Sequence, residues 1–278
     1  MKTLYVTDLD GTLLNSRDTI SPYSIGIING LVEKGMLFTY ATARSLVSAS
    51  VVARGLSTRI PVIAYNGAFI FQPDTGEILA REGFGGEERE KVVSAMRERK
   101  PGLLVYSHVD GEEKVSWVTG RENEGIRRYL SQRKGDPRLR PLADESGLFD
   151  GEIFYFTCIG ERQELLPLYD IFSEDGRYTC TLQQELYRPE FWCEIMPKKA
   201  TKANAILKLK ALWECDRVVS FGDAVNDLSM FRISDECYAV ENAVEELKAA
   251  ATGVIGSNDA DGVARWLAER CPQDADRG

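Results

Sequence analysis

Short apolar runs that end in acidic or hydroxyl residues, and that alternate with helical periodicity, restrict this chain more than any other feature. Leu4–Thr7 is a β-prone run that stops at Asp8-Leu9-Asp10-Gly11-Thr12. Leu37–Tyr40 stops at Ala41-Thr42, with Arg44 close behind, and Pro61–Tyr65 stops at Asn66-Gly67. Farther along, Arg217–Phe221 stops at Gly222-Asp223, followed by Asn226-Asp227. Helical patterns lie between or after these runs, at Ser21–Lys34, Ser45–Arg54, Lys202–Trp213, Val244–Ala251 and Gly262–Cys271. Ser21 with Pro22 reads as an N-cap and first helical residue, and Gly35 as a stop. This alternation predicts an α/β fold, a doubly wound parallel sheet with helices on its faces. Ligands bind such sheets beyond the carboxyl ends of the strands, so the polar residues there are expected to converge.

Residues from about Gly83 to Pro189 have a different texture. A charged helix is expected near Glu87–Lys100, with half-alternating strands at Leu103–His108, Lys114–Thr119, Glu152–Ile159 and Tyr178–Leu182. Asp110-Gly111 is a hairpin signal. The expected organisation is a Rossmann-like core made of 1–82 and 190–278, interrupted by an α+β domain at 83–189. A length of 278 residues suits two domains. The tail from Pro272 is expected to fray.

The net charge of −9 and pI near 4.9 repel nucleic acid and anionic lipid, so neither is an expected partner. No apolar run reaches membrane-spanning length, and no secretory h-region with a cleavage site opens the chain. The six cysteines are scattered without a C-x-x-C pair, which favours reduced thiols and a cytoplasmic location. In so acidic a chain an anionic substrate needs cations inside its site. Lys198, Lys199 and Lys202 form one such cluster.

Asp8, Asp10, Asp223 and Asp227 offer only oxygen ligands. Several carboxylates brought together repel unless a cation sits among them, and hard oxygen donors suit Mg²⁺. A carboxylate is also able to attack phosphorus and form an aspartyl-phosphate. The charge that spreads over the transferring group then needs cations and donors around it. A lone D-x-D carries little weight in a chain with 43 acidic residues. His108 is the only histidine, and no G-x-S-x-G or H-E-x-x-H occurs, which disfavours Ser-His-Asp or zinc chemistry.

Taken in order, Asp8-Leu9-Asp10-Gly11-Thr12, Thr42, Lys202 and Gly222-Asp223-Ala224-Val225-Asn226-Asp227 resemble the four motifs of the haloacid dehalogenase (HAD) superfamily. The insert after the third core strand resembles the C2-type cap of its Cof-type, class IIB phosphatases. That resemblance implies a Mg²⁺-dependent phosphatase acting on a small-molecule phosphate ester, such as a sugar phosphate, through an aspartyl-phosphate. It makes Asp8 the nucleophile and Asp10 the general acid/base. The metal would be held by the Asp8 side chain, the Asp10 backbone carbonyl and Asp223, with Asp227 mostly behind them. Thr42, Lys202 and Asn226 would bind the phosphoryl group. Arg44, Asn66 and Gly67 are further substrate-side candidates, although Arg44 reads equally as a structural ion pair and Asn66-Gly67 as a turn. The chain departs from the usual T-G-R with Thr42-Ala43-Arg44, and from S-K-G with Thr201-Lys202-Ala203. The second departure keeps Lys198 and Lys199 in competition with Lys202. A phosphosugar mutase or phosphotransferase, and a non-catalytic phosphometabolite-binding regulator, are the alternative functions. The oligomeric state is not indicated.

Overall fold

The computed structural model describes residues 1–184 and 188–271, so the tail expected to fray from Pro272 lies outside the described residues. The first half-core follows the expected alternation: β1 (Thr3–Thr7), α1 (Pro22–Glu33), β2 (Leu37–Ala41), α2 (Leu46–Val52) and β3 (Val62–Ala64). Ser21 caps α1 by accepting from Ser24 N, and Pro22 takes the first helical position. The chain then adds β4 (Phe69–Gln72) and β5 (Glu77–Arg81). The middle holds α3 (Gly86–Arg99), β6 (Gly102–Val109), β7 (Glu112–Val118), α4 (Glu124–Ser131), β8 (Leu139–Leu142), β9 (Glu152–Gly160), α5 (Arg162–Ser173), β10 (Tyr178–Gln184) and β11 (Phe191–Pro197). The last stretch is α6 (Lys202–Leu212), β12 (Arg217–Gly222), α7 (Leu228–Phe231), β13 (Glu236–Val240), α8 (Glu245–Ala250), β14 (Gly253–Ile255) and α9 (Gly262–Arg270). Among the described residues no helix is long and apolar enough to cross a membrane.

The chain divides into two units, one of Met1–Arg81 with the chain from Ala200 onward, the other Glu82–Lys199. The first unit carries an eight-stranded sheet in the order β14-β13-β12-β1-β2-β3-β4-β5. It is parallel from β14 to β3, as the alternation requires. Beyond β3 the sequence reading expected no strand. There β4 and β5 continue the sheet antiparallel as a hairpin. The central strands are buried on both faces, with Leu4, Val6, Phe38, Tyr40, Val218 and Phe221 all in the core. That is why each reads as a mostly apolar run rather than an alternating one, interrupted only by the buried Thr39 in β2 and Ser220 in β12. Thr7 lies opposite both Phe221 and Tyr40, which aligns the ends of β1, β12 and β2 along one edge.

The second unit is a six-stranded sheet in the order β10-β11-β9-β6-β7-β8. Its pairs are antiparallel except β7 with β8. One face packs on α3 and α5, joining Val92, Met96, Leu165 and Phe172 to Val105, Phe156 and Ile195. The hairpin at Asp110-Gly111 has φ of 54° and 82°, the positive pair that a tight type I′ turn needs. This unit runs on to Lys199 and does not stop at 189. The reason is β11, which pairs with β10 on one side and β9 on the other and so belongs wholly to this sheet.

Candidate active site

The first unit brings three chain segments together at one edge of its sheet. Asp8 follows β1 and continues the ladder through its N–H to the Phe221 carbonyl, 2.9 Å away. Asp223 and Asp227 follow β12, and Lys202 opens α6, where Thr201 caps the helix by accepting from Asn204 N. Carboxylate oxygens of Asp8, Asp223 and Asp227 lie within 4.8 Å of one another. The Lys202 ammonium donates to Asp8 at 2.5 Å and to Asp227 at 2.8 Å. Asp8, Lys202 and Asp227 are 5%, 2% and 0% exposed, so these charges are held away from water. Lys198 and Lys199 are exposed, and the second of them ends the other unit; Lys202 is the lysine that reaches the cluster.

Charge bookkeeping in this cluster does not balance. Three carboxylates face one ammonium, which leaves two uncompensated negative charges. Burial pushes the Asp8 carboxyl from 3.8 up to about 7; Lys202 pulls it back, and Asp227 and Asp223 add to the rise. Burial likewise raises Asp223 from 3.8 to about 6, opposed by its hydrogen bond from Thr12 and reinforced by Asp227. Burial works against the charge on Lys202, but Asp8 and Asp227 outweigh it and hold the ammonium above its usual range. A divalent cation with oxygen ligands fits this donor set, because it supplies the missing charge and takes the ligand type on offer.

The remaining candidates divide by what they touch. Arg44 holds Asp10 through Nε at 3.0 Å and Nη2 at 2.5 Å, with Asp18 at 3.8 Å. The Asp10 side chain is therefore turned to Arg44 and lies outside the carboxylate cluster. Thr42 is fully buried, and its hydroxyl accepts from Arg44 N at 3.1 Å. Asn66 N donates to Thr42 O at 2.9 Å, and Tyr65 N to Arg44 O at 3.0 Å, so the loops after β2 and β3 are tied together. Gly67 has φ of 104°, and a Cβ there would collide with the Thr201 carbonyl just ahead of Lys202. Its place in the fold is thus to let that loop press against the start of α6. Asn226 is exposed in the turn between Asp223 and Asp227.

Three residues do positioning work that the sequence left unassigned. Thr12 donates to Asp223 at 2.9 Å. Asn242 donates to Gly11 O at 2.8 Å and accepts from Asn258 N, while Asn258 donates to Leu14 O at 2.9 Å. Together they pin the loop that carries Asp8 and Asp10. Thr12 was visible as part of the motif. Asp227 spends one oxygen on Lys202 and the other on the N–H groups of Asp223 and Ala224, which makes it the organiser of the cluster.

A fold of this topology with aspartates at the ends of β1 and β12 defines a hydrolase class, and the comparison with known families agrees. The family model described as haloacid dehalogenase-like hydrolase matches residues 5–267, and the chain belongs to that family. It is 28% identical to the 5-amino-6-(5-phospho-D-ribitylamino)uracil phosphatase of Bacillus subtilis, across 94% of this chain and 95% of that protein. A solved Thermotoga maritima structure superposes with a TM-score of 0.79 at 29% identity, covering 99% of both chains. A sugar phosphatase of HAD subclass IIB superposes with a TM-score of 0.69 at 22% identity, over 97% of this chain and 98% of that one. The insert that the sequence pointed to is thus part of a fold shared with these solved structures over nearly their whole length.

Proposed function

We propose that this chain is a Mg²⁺-dependent phosphatase that hydrolyses a small phosphorylated metabolite through a phosphoenzyme on Asp8. The observation that carries this reading is the cluster of Asp8, Asp223 and Asp227, with the buried Lys202 paired to Asp8 and Asp227. Asp8 attacks phosphorus with a carboxylate oxygen, and the bond from phosphorus to the leaving oxygen breaks. Asp10 gives that oxygen its proton. Asp10 then takes a proton from water, whose oxygen attacks the aspartyl-phosphate, releasing phosphate and restoring Asp8. Lys202 favours the ionised Asp8 needed for attack and meets charge on the phosphoryl oxygens. Arg44 fixes the direction of the Asp10 carboxylate. Thr42 accepts from Arg44 N and so keeps its hydroxyl proton to donate to a phosphoryl oxygen, with Asn226 as a further donor. Asn66 and Gly67 shape the neighbouring loop on the substrate side. When bound by the Asp8 and Asp223 carboxylates and the Asp10 carbonyl, Mg²⁺ would supply positive charge for the transferring group.

The substrate class rests on the Bacillus subtilis relative, whose name specifies a phosphorylated ribitylamino-uracil. A sugar phosphate or a similar phosphorylated polyol is the corresponding expectation here. A cytoplasmic location is proposed from six cysteines that are all free thiols. The test is phosphate release from a panel of metabolite phosphates with Mg²⁺ and with a chelator. Asp8→Asn is expected to lower turnover by at least about 10³-fold. Unchanged turnover in that variant would remove Asp8 from the nucleophile role.

A further inference from the structure

After β3 the chain passes through three residues whose backbone is left-handed. Tyr65, Asn66 and Gly67 have φ of 50°, 54° and 104°. Asn and Gly take that conformation readily, but a bulky residue such as Tyr does so only where its surroundings hold it there. Tyr65 is buried, with its ring edge-on to Phe69 at 6.2 Å between centres. Gly67 is buried as well, and a Cβ on it would stand 2.2 Å from the Thr201 carbonyl oxygen and 2.9 Å from Lys202 N. Both of those are backbone atoms at the start of α6, so no flexible side chain is there to move aside.

The partners of this turn show what the strained backbone secures. Tyr65 N donates to Arg44 O and Asn66 N to Thr42 O. An ordinary extended or right-handed backbone at 65 and 66 would aim these two N–H groups elsewhere. On one side, therefore, the turn holds the loop of Thr42 and Arg44, and the Arg44 guanidinium orients Asp10. On the other side it seats the first residue of α6, Lys202, whose ammonium reaches Asp8 and Asp227. We propose that Tyr65-Asn66-Gly67 is a positioning turn for phosphoryl transfer, which sets the Arg44–Asp10 pair against the Lys202–Asp8 pair through its backbone. Asn66 stands there as a residue that accepts φ of 54°, and its side-chain amide is not what the reaction requires. This rests on the phosphatase reading, in which Asp8 attacks and Asp10 moves the proton. A misplacement of about 1 Å between such groups costs on the order of 100-fold in rate.

One position separates backbone from side chain. Asn66→Gly keeps the left-handed backbone and removes the amide, whereas the β-branched side chain of Asn66→Val opposes that backbone. With a phosphate ester that the wild type hydrolyses under Mg²⁺, Asn66→Gly is expected to keep a kcat at least about 10-fold above that of Asn66→Val. Gly67→Ala is expected to lower kcat by about 10–100-fold, with a smaller change in KM. Each kcat is read well below the melting temperature of the variant, so that lost folding is not counted as lost positioning. Hydrogen exchange in metal-free protein gives a readout without turnover. Gly67→Ala is expected to speed exchange at Asn204 and Ala205, whose N–H groups bond to Thr201, while β12 and β13 exchange as in the wild type. Asn66→Gly falling as low as Asn66→Val would give the amide a substrate contact and overturn the proposal. So would Gly67→Ala with wild-type kcat or wild-type exchange. A wild type that hydrolyses no phosphate ester would sink the phosphatase reading instead, and the exchange rates would then decide whether the turn positions α6.

Discussion

The two units solve opposite electrostatic problems. In the first, the buried Asp8 and Asp227 and the half-buried Asp223 face a single ammonium, and the surplus is negative. In the second, a cavity beside α4 is lined by Arg128, Arg133 and Arg188, of which, among the described residues, only Arg128 is paired with carboxylates. The first surplus is largely buried and is tolerated only with a partner of the other sign, whereas the second opens to solvent at Arg188. The difference teaches that local charge, rather than the acidic total of the chain, sets what each unit tolerates: the half-closed acidic cluster needs a cation, while exposed arginines are balanced by solvent.

The sharpest way to break that contrast is to worsen the first imbalance. Lys202→Met removes the only ammonium in the cluster and leaves Asp8 and Asp227 without it. The metal-free variant is expected to lose about 3–5 kcal/mol of stability, read by denaturant unfolding. Asp8→Asn acts in the opposite sense, since it removes one surplus charge and is expected to unfold no more easily than wild type in chelator at neutral pH. If both variants destabilised equally, charge surplus would not be what governs this site.

Thr12→Val tests support behind a ligand. It deletes the hydroxyl that donates to Asp223. Metal affinity is expected to fall by roughly 10–100-fold, read as the Mg²⁺ concentration for half-maximal activity, while Thr12→Ser stays near wild type.

The smallest expected effect is a dependence on pH. Burial raises Asp8 to about 7 and Asp223 to about 6. A carboxyl raised on folding binds its proton more tightly in the native state, so its cost is absent below about pH 4 and grows as pH rises toward the folded values. In chelator, the melting temperature of wild type minus that of Asp8→Asn is expected to decline between pH 5 and pH 7.5. Saturating Mg²⁺ is expected to flatten that decline. A difference that rose with pH in chelator would contradict the surplus.

The core was legible because parallel strands covered on both faces announce themselves as apolar runs, and because each stops at a residue with polar work to do. Asp8, Thr42, Asp223 and Asp227 follow such runs, whereas Lys202 opens α6 and was picked out by its place in the order of motifs. The hairpin of β4 and β5 could not, since Glu77–Arg81 is half exposed and its pattern is weak. In the second unit α5 encloses Pro167, which breaks the expected helical signature, and only the packing of Leu165, Leu168 and Phe172 on the sheet holds it. β8 is short and contains Pro141, as an edge strand can. The pairing of Arg44 with Asp10 was out of reach for another reason. Sequence spacing puts both residues at strand ends, but the direction of a long side chain is settled only by the loop it stands on.

The ladder that joins β1 to β12 has a consequence for synthesis. A ribosome delivers Thr3–Thr7 first and Arg217–Gly222 only after the whole second unit has emerged. Through that interval one edge of β1 waits without its neighbour, and Asp8 has neither Lys202 nor Asp227 beside it. The second unit is continuous in the chain and is able to close before the first is complete. A nascent or truncated chain that stops short of β12 thus carries an open strand edge that invites association.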